Sequence, residues 1–157
     1  SGDWSSDVCS SDLAERGLLI NMGAHVFAQV LFPHKGAIIS GNDSSVILKI
    51  IYHDVEVLLT GDAGVGVEEY LIKREENLLE SEILKLGHHG SKTSTSKNFL
   101  EIVKPVVSII SAGEKNKYGH PHPSVLEKLF TGGIFFLGTY EEGTINIFSD
   151  GKKFWRK

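Results

Sequence analysis

From Leu18 onward, apolar residues recur with two periods that keep replacing one another, the pattern of short strands interleaved with helices. "LLINMG" and "HVFAQVLF" read as strands, the second alternating apolar and polar positions until Pro33 stops it. "SSVILKIIY" (44–52) and "VEVLLTG" (55–61) flank His53 and Asp54, a hairpin spacing whose turn lacks the favoured glycine. "VEEYLIKREENLL" (67–79) brings Tyr70, Leu71, Leu78 and Leu79 near one helical face, with charges elsewhere. "EILKLG" is a strand, "NFLEIVK" a short helix ended by Pro105, and "VVSIISAG" (106–113) a buried strand of β-branched residues. "PSVLEKLF" carries Ser124 with Glu127 three residues on, a capping box that opens a helix, and Gly132-Gly133 closes it. "IFFLGT" and "TINIFSDGKKFW" are the last strands, the latter a hairpin turning at Asp150-Gly151. The predicted class is α/β, helices packed on sheets, as one unit over 14–157.

Residues 1–13, "SGDWSSDVCSSDL", break this pattern: they are rich in Ser and Asp, aperiodic, and hold Cys9, the single cysteine. They read as a disordered tail or as a non-native stretch, a sequencing adapter translated in frame. On the second reading the natural chain is truncated near Leu13.

Three polar clusters follow apolar strands. In "VLLTGDAG", Asp62 leaves a strand's C-terminal end, where ligand sites gather in open α/β sheets; it also suits the N-cap of the next helix. In "ILKLGHHGSKTSTS", His88 and His89 lie between Gly87 and Gly90, where backbone approaches a ligand closely. Adjacent side chains diverge, so one imidazole faces a site while the other packs or supports it. Asp with His suits zinc or manganese, and Ser91, Lys92, Thr93 and Ser94 offer hydroxyl and ammonium donors for phosphate oxygens. The bland alternative for these four is a solvated polar loop. In "SAGEKNKYGHPHP", Asn116, Tyr118, His120 and His122 share a loop restricted by two prolines. His120 suits a general acid or a substrate contact, while His122, next to the helix start, also suits an ordering role there. His25, His34 and His53 lack such surroundings and read as surface or strand residues.

Composition narrows the function. Across 157 residues the net charge is −4, with 41% hydrophobic and 23% charged residues, so no global basic field recruits nucleic acid. A local patch or a bound cation must draw an anionic substrate. One cysteine excludes disulfides and thiolate metal sites. No apolar run nears the roughly 18 residues that span a bilayer, and no signal-peptide pattern opens the chain.

Taken together, "NDSSVILKI", "VLLTGDA", "ILKLGHHGSKTSTS", "IISAGEKNKYGHPHPSVLEKL" and "GTYEEGTINI" resemble the metallo-β-lactamase-fold domain found at the C-terminus of ComEC-type DNA-uptake proteins and in stand-alone bacterial hydrolases. The resemblance covers roughly residues 18–148. It implies the C-terminal part of an αββα sandwich, with a metal site along one sheet edge. It further implies a bridging metal ligand at Asp62 and a late ligand at His88 or His89, with His88 favoured directly after the strand-end glycine. Substrate contacts are implied at Tyr118 and His120. The fold's main metal signature, His-x-His-x-Asp-His, is missing from this sequence. The expectation is therefore a hydrolase fragment that is inactive alone and is completed by the missing N-terminal half of the same domain.

In the intact parent the resemblance implies two zinc or manganese ions that acidify a shared water. That water attacks a phosphodiester, DNA first, with Lys92, Ser91 and His120 stabilising charge or leaving group. Lys85, Lys97, Lys115 and Lys117 lie near the same loops. Two alternatives stand beside this: a metal-free module that binds nucleic acid or a partner, and a metallo-hydrolase of small esters or lactones. The parent is expected to be soluble or to carry this domain outside the cytoplasm on a membrane protein.

Overall fold

The computed structural model describes residues 14–36 and 41–157; the reading of 1–13 as a tail lies outside the described residues. A seven-stranded sheet runs in chain order: β1 (Leu19–Gly23), β2 (Val26–Phe32), β3 (Ile47–Tyr52), β4 (Val55–Leu59), β5 (Ile83–Lys85), β6 (Val107–Ile110) and β7 (Phe135–Gly138). Strands β1 to β4 pair antiparallel and β4 to β7 parallel. The three parallel connections carry α1 (Val65–Leu79), α2 (Lys97–Val103) and α3 (Pro123–Thr131). The α/β class is met, as a mixed sheet with four α-helices among the described residues. The fourth helix, α4 (Thr139–Glu142), is a single turn with no apolar periodicity to announce it.

The helices cover one sheet face. Leu58, Leu84 and Ile110 from the strands and Leu86 just after β5 pack there with Leu71, Leu79, Phe99, Val103, Val125 and Leu129 from the helices, all at most 1% exposed. On the other face Val55, Ile83, Val107 and Leu137 meet a separate hairpin, β8 (Ile147–Ser149) with β9 (Phe154–Arg156). Strand alternation divides the two sets, Ile83 pointing one way and Leu84 the other. Burying such a side chain is worth about 1.5–3 kcal/mol, so both faces contribute.

Buried polar groups fix the helices. Lys49, 4% exposed, donates 2.9 Å bonds to the carbonyls of Leu78 and Glu80 at the end of α1 and pairs with Glu56 at 2.6 Å. It satisfies carbonyls that the helix end leaves open. Glu75 sits at a kink inside α1 and pairs with Arg16.

Two local expectations are corrected. The cap of α3 is His122, whose Nδ1 accepts from the Ser124 amide at 3.3 Å, rather than Ser124 with Glu127. Pro123 takes the first helical position and has no N–H to offer, so the helix begins one residue before the expected box. Asp62 does not cap α1 either: the N-cap is Gly64, and the Val65 amide donates to the Thr93 carbonyl at 2.9 Å.

Candidate functional site

The parallel strands leave their C-terminal ends on one edge, and the antiparallel β3 begins at that same edge. Asp62 follows β4, His88 and His89 follow β5, residues 111–120 follow β6, Thr139 follows β7, and the 3₁₀ turn Gly41–Ser44 leads into β3. Five stretches distant in sequence meet there because open sheets collect loops at this edge.

Asp62 is held by its backbone. Gly61, at φ +54°, turns the chain tightly enough that a Cβ would stand 2.8 Å from the Ser45 Cβ. The Asp62 amide then donates to Ser45 Oγ at 2.9 Å, leaving the carboxylate 43% exposed. The histidine turn is strained: His88 (φ 47°) and His89 (φ 56°) are consecutive left-handed residues that are not glycine. Each costs on the order of 1 kcal/mol or more, and such strain persists only where surroundings hold it. Here the His88 amide donates to the Gly61 carbonyl and Ser94 Oγ donates to the Gly87 carbonyl. Gly90 (φ +77°) lies flat against Pro121, where a Cβ would come within 3.0 Å.

The two imidazoles do diverge. His89 Nδ1 lies 2.6 Å from the Ser111 carbonyl oxygen, which makes Nδ1 the protonated nitrogen. Nε2 is then the lone-pair nitrogen, and it stands 3.6 Å from Asp62 Oδ1. Both ring nitrogens of His88 lie near the Asn42 side-chain amide nitrogen, at 3.1 and 3.3 Å, and Nδ1 is 3.4 Å from Thr93 Oγ1. His120 joins the group, its ring centroid 5.7 Å from that of His88 and 6.0 Å from that of Tyr118. Burial, then the neighbouring His88, His89 and His122, push His120 below the ordinary imidazole range, while Asp62 draws it partly back. Its Nδ1 is buried without a hydrogen-bond partner.

The other predicted residues divide. Asn116 staples its loop, donating to the carbonyls of Gly113 (2.8 Å) and His120 (2.5 Å) and accepting from the His120 amide (2.8 Å). Tyr118 and Lys92 are exposed. Ser91 is buried, 3.1 Å from Thr93 Oγ1, and Ser94 is fully buried, so neither offers a free hydroxyl to a phosphate. His122 is occupied at the start of α3. His89, Ser111, Asn116, Tyr118, His120 and Thr139 line a cleft of about 430 Å³ beside Asp62. Among the described residues, no group of three or more His, Cys, Asp or Glu is arranged to hold a metal.

No protein-family model matches the chain. Curated bacterial proteins do, three of them at 35–41% identity. ComE operon protein 3 of Bacillus subtilis is 39% identical over 116 residues, 74% of this chain. Competence protein ComA of Neisseria gonorrhoeae is 35% identical over 119 residues, 76% of this chain. Recombination protein 2 of Haemophilus influenzae is 41% identical over 124 residues, 78% of this chain. One of these relatives is named for competence and another for recombination. The chain spans only 15–17% of their length. No helix among its described residues is long and apolar enough to cross a membrane.

Four contributors to the site had no assigned role in the sequence reading: Asn42, Ser45, Glu68 and Ser111. Glu68, 3% exposed on α1, accepts from the Thr95 amide and, at 2.8 Å, from the Ser96 amide, bolting the loop after the histidines to the helix. A carboxylate on the apolar side of α1, beside Val67 and Leu71, is the signal that could have found it. Ser111 acts through its carbonyl, which no side-chain pattern reveals.

Proposed function

We propose that this chain is part of a metal-dependent hydrolase domain of the metallo-β-lactamase fold, cleaving DNA phosphodiesters in a DNA-uptake system. The observation that carries the reading is the Asp62–His89 pair: a carboxylate and an oriented imidazole nitrogen 3.6 Å apart at a strand-end edge. Two ligands each about 2.1 Å from one tetrahedral ion stand about 3.4 Å apart, so the pair fits adjacent positions on zinc or manganese. The Ser111 carbonyl on His89 Nδ1 is the outer contact that metal-bound histidines use to hold their tautomer. This favours His89 as the ligand and gives His88, already engaged by Asn42 and Thr93, a supporting place.

A bound divalent ion supplies Lewis-acid charge and an acidified water. The chain's residues do the rest. Asp62 and His89 would hold the ion, Asn42 and Thr93 orient His88, and Asn116 keeps the 113–120 loop in shape. The depressed His120 is neutral near pH 7, so it orients substrate or accepts a proton before it can donate one to the leaving group. Lys92 is free to meet phosphate oxygens. Two ligands are fewer than a hydrolytic site needs, so the remainder come from polypeptide that completes the domain. The outer sheet face supports this: an apolar groove of about 580 Å³ lies beside β8, lined by Ile50, Val57, Ile83 and Ile109.

Metal content and cleavage of a labelled oligonucleotide by the completed parent polypeptide test the reading, wild type beside Asp62→Ala and His89→Ala. Both variants are expected to lose metal and cleavage together. Equal metal content and equal cleavage in all three would remove Asp62 and His89 from these roles, and no metal and no cleavage in any of them would favour the metal-free binding module.

A further inference from the structure

Tyr118 is exposed to 70%, more than any other aromatic residue near the site, yet its loop is held firmly. Asn116 closes that loop through three hydrogen bonds with Gly113 and His120. The Tyr118 ring lies nearly parallel to that of His120, at 18° and 6.0 Å, and Lys117 Nζ stands 5.1 Å from its centroid. Hydration of so much aromatic surface on a rigid loop is unfavourable, and neither the core nor the Asp62–His89 pair uses it. A planar, sequence-independent partner matches it: a ring exposed at the rim of a cleft, with a lysine ammonium beside it, is an arrangement on which unpaired nucleobases stack.

We propose that Tyr118 is the stacking platform for an unpaired base next to the phosphodiester under attack, so that the site takes single-stranded rather than duplex DNA. The inference rests on the reading of the site as a DNA phosphodiesterase and names the form of its substrate. In a duplex, base faces are covered by their neighbours and cannot reach Tyr118 without unstacking. In a single strand one base covers the exposed ring, and its 3′ or 5′ phosphate falls toward the cleft lined by His89 and His120. Lys115 and Lys117 then meet backbone phosphates, giving a salt-dependent contribution that does not distinguish strands.

Binding can be read without cleavage. Fluorescence anisotropy of the 157-residue chain with a labelled single strand of about 12 nucleotides, against a duplex of the same sequence, gives both affinities. The wild type is expected to prefer the single strand. Tyr118→Ala should weaken single-strand binding by about 5- to 150-fold, the range for one lost base stack, and leave duplex binding unchanged. Tyr118→Phe should keep the preference, since the ring alone carries it. Far-UV circular dichroism of the alanine variant, unchanged from wild type, excludes a folding defect because the side chain is almost wholly outside the core. Equal affinity of wild type and Tyr118→Ala, equal affinity for strand and duplex, or no binding by the wild type would each overturn the inference. Strand preference that survives in a parent unable to cleave would instead overturn the phosphodiesterase reading alone.

Discussion

Both ends of the sheet carry histidines in left-handed backbone, and only one end looks like a site. At the hairpin end, His25 (φ 64°) turns β1 into β2 and His53 (φ 54°) turns β3 into β4, their rings 5.5 Å apart. Tight hairpin turns need positive φ, so here the strain follows from connectivity. His53 packs on Gly151 of the β8–β9 turn, whose carbonyl accepts from the Asp54 amide at 2.8 Å, and His25 is exposed. At the other end no hairpin demands the turn at His88 and His89, which joins a strand to a loop. There each ring has a polar partner from a distant segment, Ser111 and Asp62 for His89 and Asn42 for His88, with Thr93 of the same loop also near His88. Strain alone therefore does not mark a site. Strain without a topological cause, held by partners that orient ring nitrogens, does.

The largest effect expected is at the ring that faces Asp62. His89→Gln in the completed parent removes Nε2 from the pair, and metal affinity should fall on the order of 100-fold or more, since even outer partners cost about 10–100-fold. His25→Gln should leave affinity unchanged. Isothermal titration of both variants with Mn²⁺ or Zn²⁺ makes the comparison, and comparable losses would erase the distinction between the ends. A smaller effect is expected where the histidine loop is anchored. Glu68→Gln turns one of two accepting oxygens into a donor facing a backbone N–H, which should cost about 1–3 kcal/mol in urea unfolding. It should also weaken cleavage, because Thr93 and Lys92 ride on the same loop. Lys49→Met, which removes the buried ammonium at the far end of α1, should cost a similar amount and leave the catalytic constants of the folded fraction intact.

These residues also show what was legible in the sequence. The strands, three helices and two hairpins could be read because apolar period and turn chemistry are local. Asp62 and His89 could be nominated because a glycine-flanked polar residue after an apolar strand lies at a sheet's ligand-binding edge wherever the sheet is open. Which histidine faced Asp62 could not be read. That choice depends on two successive positive φ values and on a carbonyl 22 residues away, and the apparent logic of distance from the strand pointed to His88. The placement of Ser91 and Ser94 could not be read for a similar reason: in the fold their hydroxyls close the loop on itself. Serine in a polar loop has the same composition whether it faces water or carbonyls.

The smallest effect expected is also the sharpest check on the two ends. Glycine adopts left-handed backbone without the Cβ penalty, so His25→Gly and His88→Gly should relieve similar native strain. The greater freedom of glycine in the unfolded chain offsets part of that gain. Thermal unfolding of the two variants should therefore move by no more than about 1 kcal/mol from wild type. His25 gives up only its contact with His53, whereas His88 gives up Asn42, Thr93 and the ring facing His120. Cleavage by the completed parent should thus survive His25→Gly and fall about 10-fold or more in His88→Gly, as for lost outer partners of a metal site. A His88→Gly parent that cleaves like wild type would mean that its strained backbone serves only to aim His89, with the His88 ring itself dispensable.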